Sequence, residues 1–175
     1  GYEADKNDII VRVTDNYDLN LTAAWDNSVD SFQWSADGKK LYFTAAINGT
    51  KQLFEVNYPG LTRIAIRVTQ ITDGDFDVNE LVGFSGDNAI VTRTDMNHAA
   101  EIYSYNIKKK TWSQLTNTNK EIYSKLSLPK YERRYVTTTD GKKMLVWVIL
   151  PPNFDKTKKY PTLLYCQGGP QSPLT

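Results

Sequence analysis

The chain has 175 residues, 40% hydrophobic and 23% charged, with a formal net charge of +1. That length can bury one sizeable core or two small ones, and the composition is that of a soluble globular protein, with no basic patch to recruit a nucleic acid or an anionic membrane. Its single cysteine, Cys166, excludes an internal disulfide, and no apolar run approaches the roughly 18–20 residues of a membrane-spanning helix.

The chain opens at Gly1 with no signal-peptide pattern, which reads as a trimmed or internal start. Tyr, Thr and Val are frequent and a helix-period apolar stripe is hard to find, so the expected elements are strands. Ile9-Ile10-Val11-Arg12-Val13-Thr14 and Asn20-Leu21-Thr22 come first and look like the end of a repeat unit. A fuller copy follows. Phe32-Gln33-Trp34 runs through Ser35-Ala36-Asp37-Gly38 into Leu41-Tyr42-Phe43-Thr44, and Asn48-Gly49-Thr50 turns the chain into Gln52-Leu53-Phe54-Glu55-Val56. After a loop insertion around Pro59-Gly60, the copy closes with Arg67-Val68-Thr69-Gln70-Ile71-Thr72.

The second copy begins at Val82-Gly83-Phe84-Ser85-Gly86 and crosses Asp87-Asn88 into residues 89–93. It turns at Asn97-His98-Ala99 into Glu101-Ile102-Tyr103-Ser104-Tyr105, and closes with Trp112-Ser113-Gln114-Leu115-Thr116. Asp37-Gly38 and Asp87-Asn88 are the expected tight turns, because Gly and Asn tolerate positive φ. Four short strands per repeat of about fifty residues are the mark of a β-propeller blade. Leu21-Thr22 matches the closings Ile71-Thr72 and Leu115-Thr116, so the chain holds two nearly whole blades and the tail of a third. Propellers close with about four to eight blades, which points to further sequence upstream. A small all-β sandwich is the rival reading, and the likeness through several consecutive strands speaks against it.

After about Leu128 the rhythm stops. Residues 129–134 read as a charged connection. Tyr135-Val136-Thr137-Thr138-Thr139, the turn Asp140-Gly141 and Met144-Leu145-Val146-Trp147-Val148-Ile149-Leu150 read as a hairpin, ended by Pro151-Pro152. Beyond a polar loop, Thr162-Leu163-Leu164-Tyr165-Cys166 is predicted to be a strand covered on both faces, as in an α/β sheet. It leads into Gln167-Gly168-Gly169-Pro170, at the strand end where α/β enzymes place their chemistry.

Leu150-Pro151-Pro152-Asn153-Phe154-Asp155, Lys159-Tyr160-Pro161 and the apolar run into Gly168-Gly169-Pro170 resemble the hydrolase entry of the prolyl oligopeptidase family of serine peptidases. Trp25-Asp26-Asn27-Ser28-Val29 ahead of Trp34-Ser35-Ala36-Asp37-Gly38 looks like the acylaminoacyl-peptidase branch. Tyr165-Cys166-Gln167-Gly168-Gly169-Pro170-Gln171-Ser172 is most similar to the bacterial dipeptidyl peptidases within it. The combination and its order are specific, whereas Gly-Gly-Pro alone would be weak.

The resemblance implies a mostly β chain in which residues 1–128 are the late blades of a partial β-propeller. Residues 129–175 would then hold the N-terminal strands of an α/β-hydrolase domain. It implies an internal piece of a serine exopeptidase that releases dipeptides or acyl-amino acids from short peptides through an acyl-enzyme. The expected partners are short peptides and the rest of the parent peptidase, with a homodimer left open; no nucleic acid, membrane, cofactor or metal is called for. A periplasmic or exported bacterial location follows from the same likeness, with the cytoplasm as the alternative. The blades alone would also suit a non-enzymatic binding module, and an esterase of the same fold is a third reading.

Acyl transfer needs donors aimed at the developing oxyanion. The resemblance puts one on the backbone N–H of Gly169, where glycine lets the main chain approach the substrate. Gln167 stands where relatives carry His or Tyr, and with Gly168 and Pro170 it completes the loop. No Gly-x-Ser-x-Gly exists here. Gly83-Phe84-Ser85-Gly86-Asp87 fails at its last position, and Ser85 is the repeat mate of Ser35, so the triad is expected beyond Thr175. His98, the only histidine, is expected on a surface loop, and Cys166 as an inert thiol buried within its strand. Glu101, Asp95 and Asp75, read as turn residues of the blades, are the candidates for holding a substrate's α-amino group, although most such carboxylates are merely solvated. Asn20-Leu21-Thr22 and Asn48-Gly49-Thr50 fit the glycosylation sequon, which matters only in a eukaryotic secretory setting.

Overall fold

The structure, a computed structural model, describes residues 5–62 and 64–166. Strands β1 (Ile10–Thr14) and β2 (Tyr17–Asn20) form a hairpin. β3 (Ser31–Trp34), β4 (Lys40–Ile47), β5 (Thr50–Asn57) and β6 (Val68–Gln70) form a four-stranded meander. β7 (Asp77–Ser85), β8 (Asn88–Asp95), β9 (His98–Asn106) and β10 (Thr111–Gln114) form a second one in the same order. A helical turn, α1 (Lys120–Tyr123), leads to a last hairpin of β11 (Lys130–Thr137) and β12 (Lys143–Leu150). Two consecutive four-stranded antiparallel units preceded by the tail of a third make the chain a partial β-propeller.

Neighbouring blades share their cores. Leu41, Phe43, Phe54 and Val56 pack with Ile9, Leu21 and Val29, which arrive from the first hairpin and its exit. Trp25 closes that cluster with its ring about 5 Å from both Phe43 and Phe54 (5.2 and 5.1 Å). Successive residues of a strand face opposite ways, so Leu53 points instead into the second cluster, with Phe76, Val78, Ala89 and Val91 of the next blade. Tyr42 does the same from β4, 4.6 Å from the Phe84 ring. A blade is therefore half a core on each side.

The recurring Leu/Ile-Thr pair closes each unit by one device. Leu21 N–H donates to Ile9 O (2.8 Å) and Ile9 N–H donates to Thr22 Oγ1 (3.0 Å). In the next unit, Ile71 N–H donates to Leu53 O (2.8 Å) and Leu53 N–H to Thr72 Oγ1 (2.9 Å). In the third, Leu115 N–H donates to Ile102 O (2.8 Å) and Ile102 N–H to Thr116 Oγ1 (2.8 Å). Each hydroxyl donates its own proton to the side chain just before the residue whose N–H it accepts: Thr22 to Asp8, Thr72 to Gln52 and Thr116 to Glu101. The threonine thus takes the ladder bond that the departing backbone no longer supplies, and its hydroxyl is satisfied in turn.

Four expectations need correction. The β7–β8 turn is Gly86-Asp87 rather than Asp87-Asn88: Gly86 holds the positive φ (+58°), and Asn88 already pairs with Ser85. The β8–β9 turn is Met96-Asn97, with His98 and Ala99 already in β9. The stretch expected as a charged connection belongs to β11, which starts at Lys130. There Tyr131 and Arg133 turn inward while Lys130, Glu132 and Arg134 face solvent, a period-two alternation that charged residues disguise. Finally, Thr162-Leu163-Leu164-Tyr165-Cys166 forms no strand. It has no ladder partner among the described residues, and Leu163 is 97% exposed. A strand wrapped on both faces acquires its structure from neighbouring strands and helices, and no described strand pairs with this segment.

Two outcomes follow from this packing. Leu53 is fully buried between blades, whereas its repeat mate Ile102 is 38% exposed. Chemical denaturation should show Leu53→Ala losing about 2–5 kcal/mol and Ile102→Ala under about 1 kcal/mol.

The second concerns acid. The Thr116 hydroxyl, helped by the Thr118 N–H, holds the Glu101 carboxyl below its ordinary range. Burial pushes the Asp8 carboxyl up, but hydrogen bonds from Asn20, Lys6 and Thr22 outweigh it and leave it low as well. Both groups bind protons less readily folded than unfolded, so the stability they contribute is present above the ordinary carboxylate range and disappears as pH falls through it. The thermal midpoint should hold between pH 7 and about pH 5 and drop below that. An Asp8→Asn variant should show a shallower drop, and an equally steep one would contradict this assignment.

Candidate functional site

In each blade the second and third strands turn at one end, and the chain leaves for the next unit at that same end. Asn48-Gly49, Met96-Asn97 and residues 73–76 therefore share one face. The β11–β12 hairpin sits against it. At the β4–β5 turn both residues have positive φ, +51° at Asn48 and +76° at Gly49, the geometry of a two-residue turn that follows the strand twist. Gly49 is also a point of close approach, because a Cβ there would lie 2.4 Å from Leu145 Cδ2 and 3.1 Å from Trp147 Nε1.

Polar bonds complete the clasp. Arg133 Nε meets Asp75 Oδ1 at 2.6 Å, with its guanidinium 5.8 Å from the Trp147 ring centroid. The Tyr131 hydroxyl donates to Asp75 O (3.2 Å), and Asn97 Nδ2 donates to Pro129 O (2.9 Å). Behind them Asp77, buried, accepts the Lys51 N–H (2.6 Å), which ties the two blades together. The space left between Gly49, Asp75, Asp77, Asp95, Met96 and Trp147 is only about 10 Å³. That is room for one water-sized molecule, not for a peptide.

A wider polar cleft of about 390 Å³ opens beside it, lined by Asp95, His98, Glu101, Tyr103, Lys120 and Tyr123 among others. His98 Nδ1 lies 2.9 and 3.1 Å from the two Asp95 oxygens, and its ring meets Tyr123 edge to face at 4.9 Å. A carboxylate–imidazole pair can orient a base, but hydrolysis by this route also needs a serine within its reach. Ser85 does not qualify. It pairs with Asn88 at one end of β8 while His98 pairs with Asp95 at the other, and eight residues at about 3.3 Å each separate them.

The carboxylates singled out from the sequence divide by role. Asp95 accepts the N–H groups of Asn97 and His98 and so shapes the hairpin turn. Asp75 is engaged by Arg133. Glu101 is not a turn residue; it lies within β9, 6% exposed, bonded to Thr116 and Thr118. Its place as repeat mate of Gln52 was the available signal. Asn20 is similarly engaged, donating to Asp8 and accepting the Thr22 N–H. His98 is exposed, as expected. Cys166 is exposed rather than buried, because the expected strand around it does not form. Gly169, with Gln167, Gly168 and Pro170, lies outside the described residues. Missed from the sequence altogether was the docking of Leu145, Trp147 and Arg133 onto blade turns.

No protein-family model matches the chain. Over its whole length it is 35% identical, across 176 residues, to the Dipeptidyl-peptidase 5 of Porphyromonas gingivalis, of which it covers 25%. The Dipeptidyl-peptidase 5 of Porphyromonas endodontalis is 38% identical over 137 residues, 77% of this chain and 19% of that protein. The solved acylaminoacyl peptidase of Pyrococcus horikoshii matches 82% of the chain and 21% of its own with a TM-score of 0.60; at 20% identity that likeness speaks for the fold. The chain spans a quarter or less of the length of these relatives. With the blade order, the closing threonines and the hairpin all inside one continuous match, the chain is similar in sequence to a stretch of the Dipeptidyl-peptidase 5 proteins and in fold to a stretch of an acylaminoacyl peptidase.

Proposed function

We propose that this chain is the propeller-to-hydrolase junction of a serine dipeptidyl peptidase. Residues 1–128 would be late blades and residues 129–175 the start of the α/β-hydrolase domain. The observation that carries the reading is the unbroken match to Dipeptidyl-peptidase 5 across blades, hairpin and the segment beyond it. On this reading the blades restrict entry to short peptides, and the clasp at Gly49, Asp75 and Asn97 sets the hydrolase strands against the blade face. The backbone N–H of Gly169 would stabilise the oxyanion of an acyl-enzyme reaction, with the serine, acid and histidine supplied by the polypeptide after Thr175.

Two assays test this. Residues 1–175 alone should release no chromophore from a dipeptidyl substrate, while a polypeptide of the relatives' length should; turnover by the short chain, or none by the long one, would sink the proposal. In the long polypeptide Gly169→Pro, which removes the N–H, should cut kcat by about 10²–10³ with KM changed far less. An unchanged kcat would remove Gly169 from the oxyanion site.

A further inference from the structure

The three closing threonines hand their protons to three different side chains, and the difference follows where the chain goes next. At the first closing the acceptor is Asp8, which has no proton to give at neutral pH. Lys6, 2.9 Å from Asp8, supplies donors instead. Its ammonium reaches Thr22 O (3.0 Å), Ala23 O (3.3 Å) and Trp25 O (2.9 Å), the carbonyls of the segment leading into the next blade. At the second closing one side chain does both tasks. Gln52 Oε1 accepts from Thr72 (2.7 Å), while its Nε2 donates to Gly74 O (3.2 Å) and Phe76 O (2.7 Å), again on the way into the next blade.

At the third closing the side chain is Glu101, an acceptor only, and among the described residues no lysine is ion-paired to it as Lys6 is to Asp8. It takes the Thr116 hydroxyl on one oxygen and the Thr118 N–H on the other (2.6 Å). The outgoing segment presents N–H groups here rather than carbonyls. It winds into α1, where Tyr123 N–H returns to Asn119 O (3.0 Å) and Ser124 N–H to Lys120 O (3.0 Å). The Tyr123 hydroxyl then accepts the Ala99 N–H (2.7 Å), which fixes the turn against the blade before the chain reaches the last hairpin.

We infer that the polar group at the residue before each latched strand residue, together with any lysine paired to it, selects the exit route: a donor (Gln52 itself, or Lys6 paired to Asp8) admits the next blade, and a carboxylate with no such lysine ends the repeat and directs the chain to the hairpin. The physical basis is complementarity. A buried carboxylate set against two carbonyl oxygens would lose its hydration for no partner, and the same holds for an amide N–H₂ set against a backbone N–H.

Reciprocal substitutions in the 175-residue chain test it. Glu101→Gln should raise hydrogen exchange at the amides of Thr118, Tyr123, Ser124 and Leu126, and at Ala99 whose acceptor is the Tyr123 hydroxyl, by about ten- to a hundredfold and leave β7, β8 and the rest of β9 unchanged. Unchanged protection in α1, or loss spread evenly over the blade, would overturn the inference. Gln52→Glu should lower the melting temperature relative to wild type far more at pH 7 than at pH 4, where a protonated carboxyl can donate to Phe76 O as the amide does. A deficit of equal size at both pH values would count against it. Should that variant fail to fold at either pH, the exchange pattern of Glu101→Gln decides.

Discussion

A threonine hydroxyl that accepts one backbone N–H and donates to the preceding side chain is the contact from which this architecture follows. Each outer strand has to leave its sheet at some point, and the residue opposite is then left with a donor facing nothing. Thr22, Thr72 and Thr116 fill that gap for Ile9, Leu53 and Ile102. Because the hydroxyl is itself bound, the arrangement is stable when buried; Thr22 and Thr72 are both almost fully covered. Closing a strand at a fixed residue also fixes which face of the neighbouring strand looks outward, and hence that Leu53 points at the next blade.

That choice of face turns separate meanders into one body. Neither blade owns a complete core, since Phe43 and Phe54 need Trp25 and Leu21 from one side while Leu53 needs Val78 and Val91 from the other. The Gln52 amide and the Asp77 carboxylate add polar ties across the same seam, so apolar burial and hydrogen bonding agree on one register. The last hairpin uses a different principle. It meets the blades through turn tips and through Asp75 and Arg133, a smaller and more polar contact suited to joining two parts that need not share a core.

Much of this was legible in the sequence. Strand-forming residues, turn residues, the aligned repeat and the recurrence of Leu/Ile-Thr located both meanders and the hairpin. Errors arose where the signal was local and the cause was not. Asp87-Asn88 looked like the turn because Asn tolerates positive φ, yet Gly86 takes that conformation at lower cost. Charged residues concealed the alternation of β11 because Arg133 is turned inward by a distant carboxylate, Asp75. Residues 162–166 carried strong strand propensity but no partner, and propensity alone does not make a ladder. Of the candidate site, the motif around Gly169 was readable only as a likeness. The clasp was not readable at all, since nothing in the local sequence connects Gly49 with Leu145.

Native-state hydrogen exchange at the amides of Ile9, Leu53 and Ile102 addresses the threonine contact most directly, because each of these N–H groups has a threonine hydroxyl as its acceptor. If the hydroxyls close the blades, these three amides exchange as slowly as those of the central ladders β4–β5 and β8–β9, with Leu53 the slowest. Exchange at the rate of fraying strand ends would show that the threonines merely sit beside a closure made by something else.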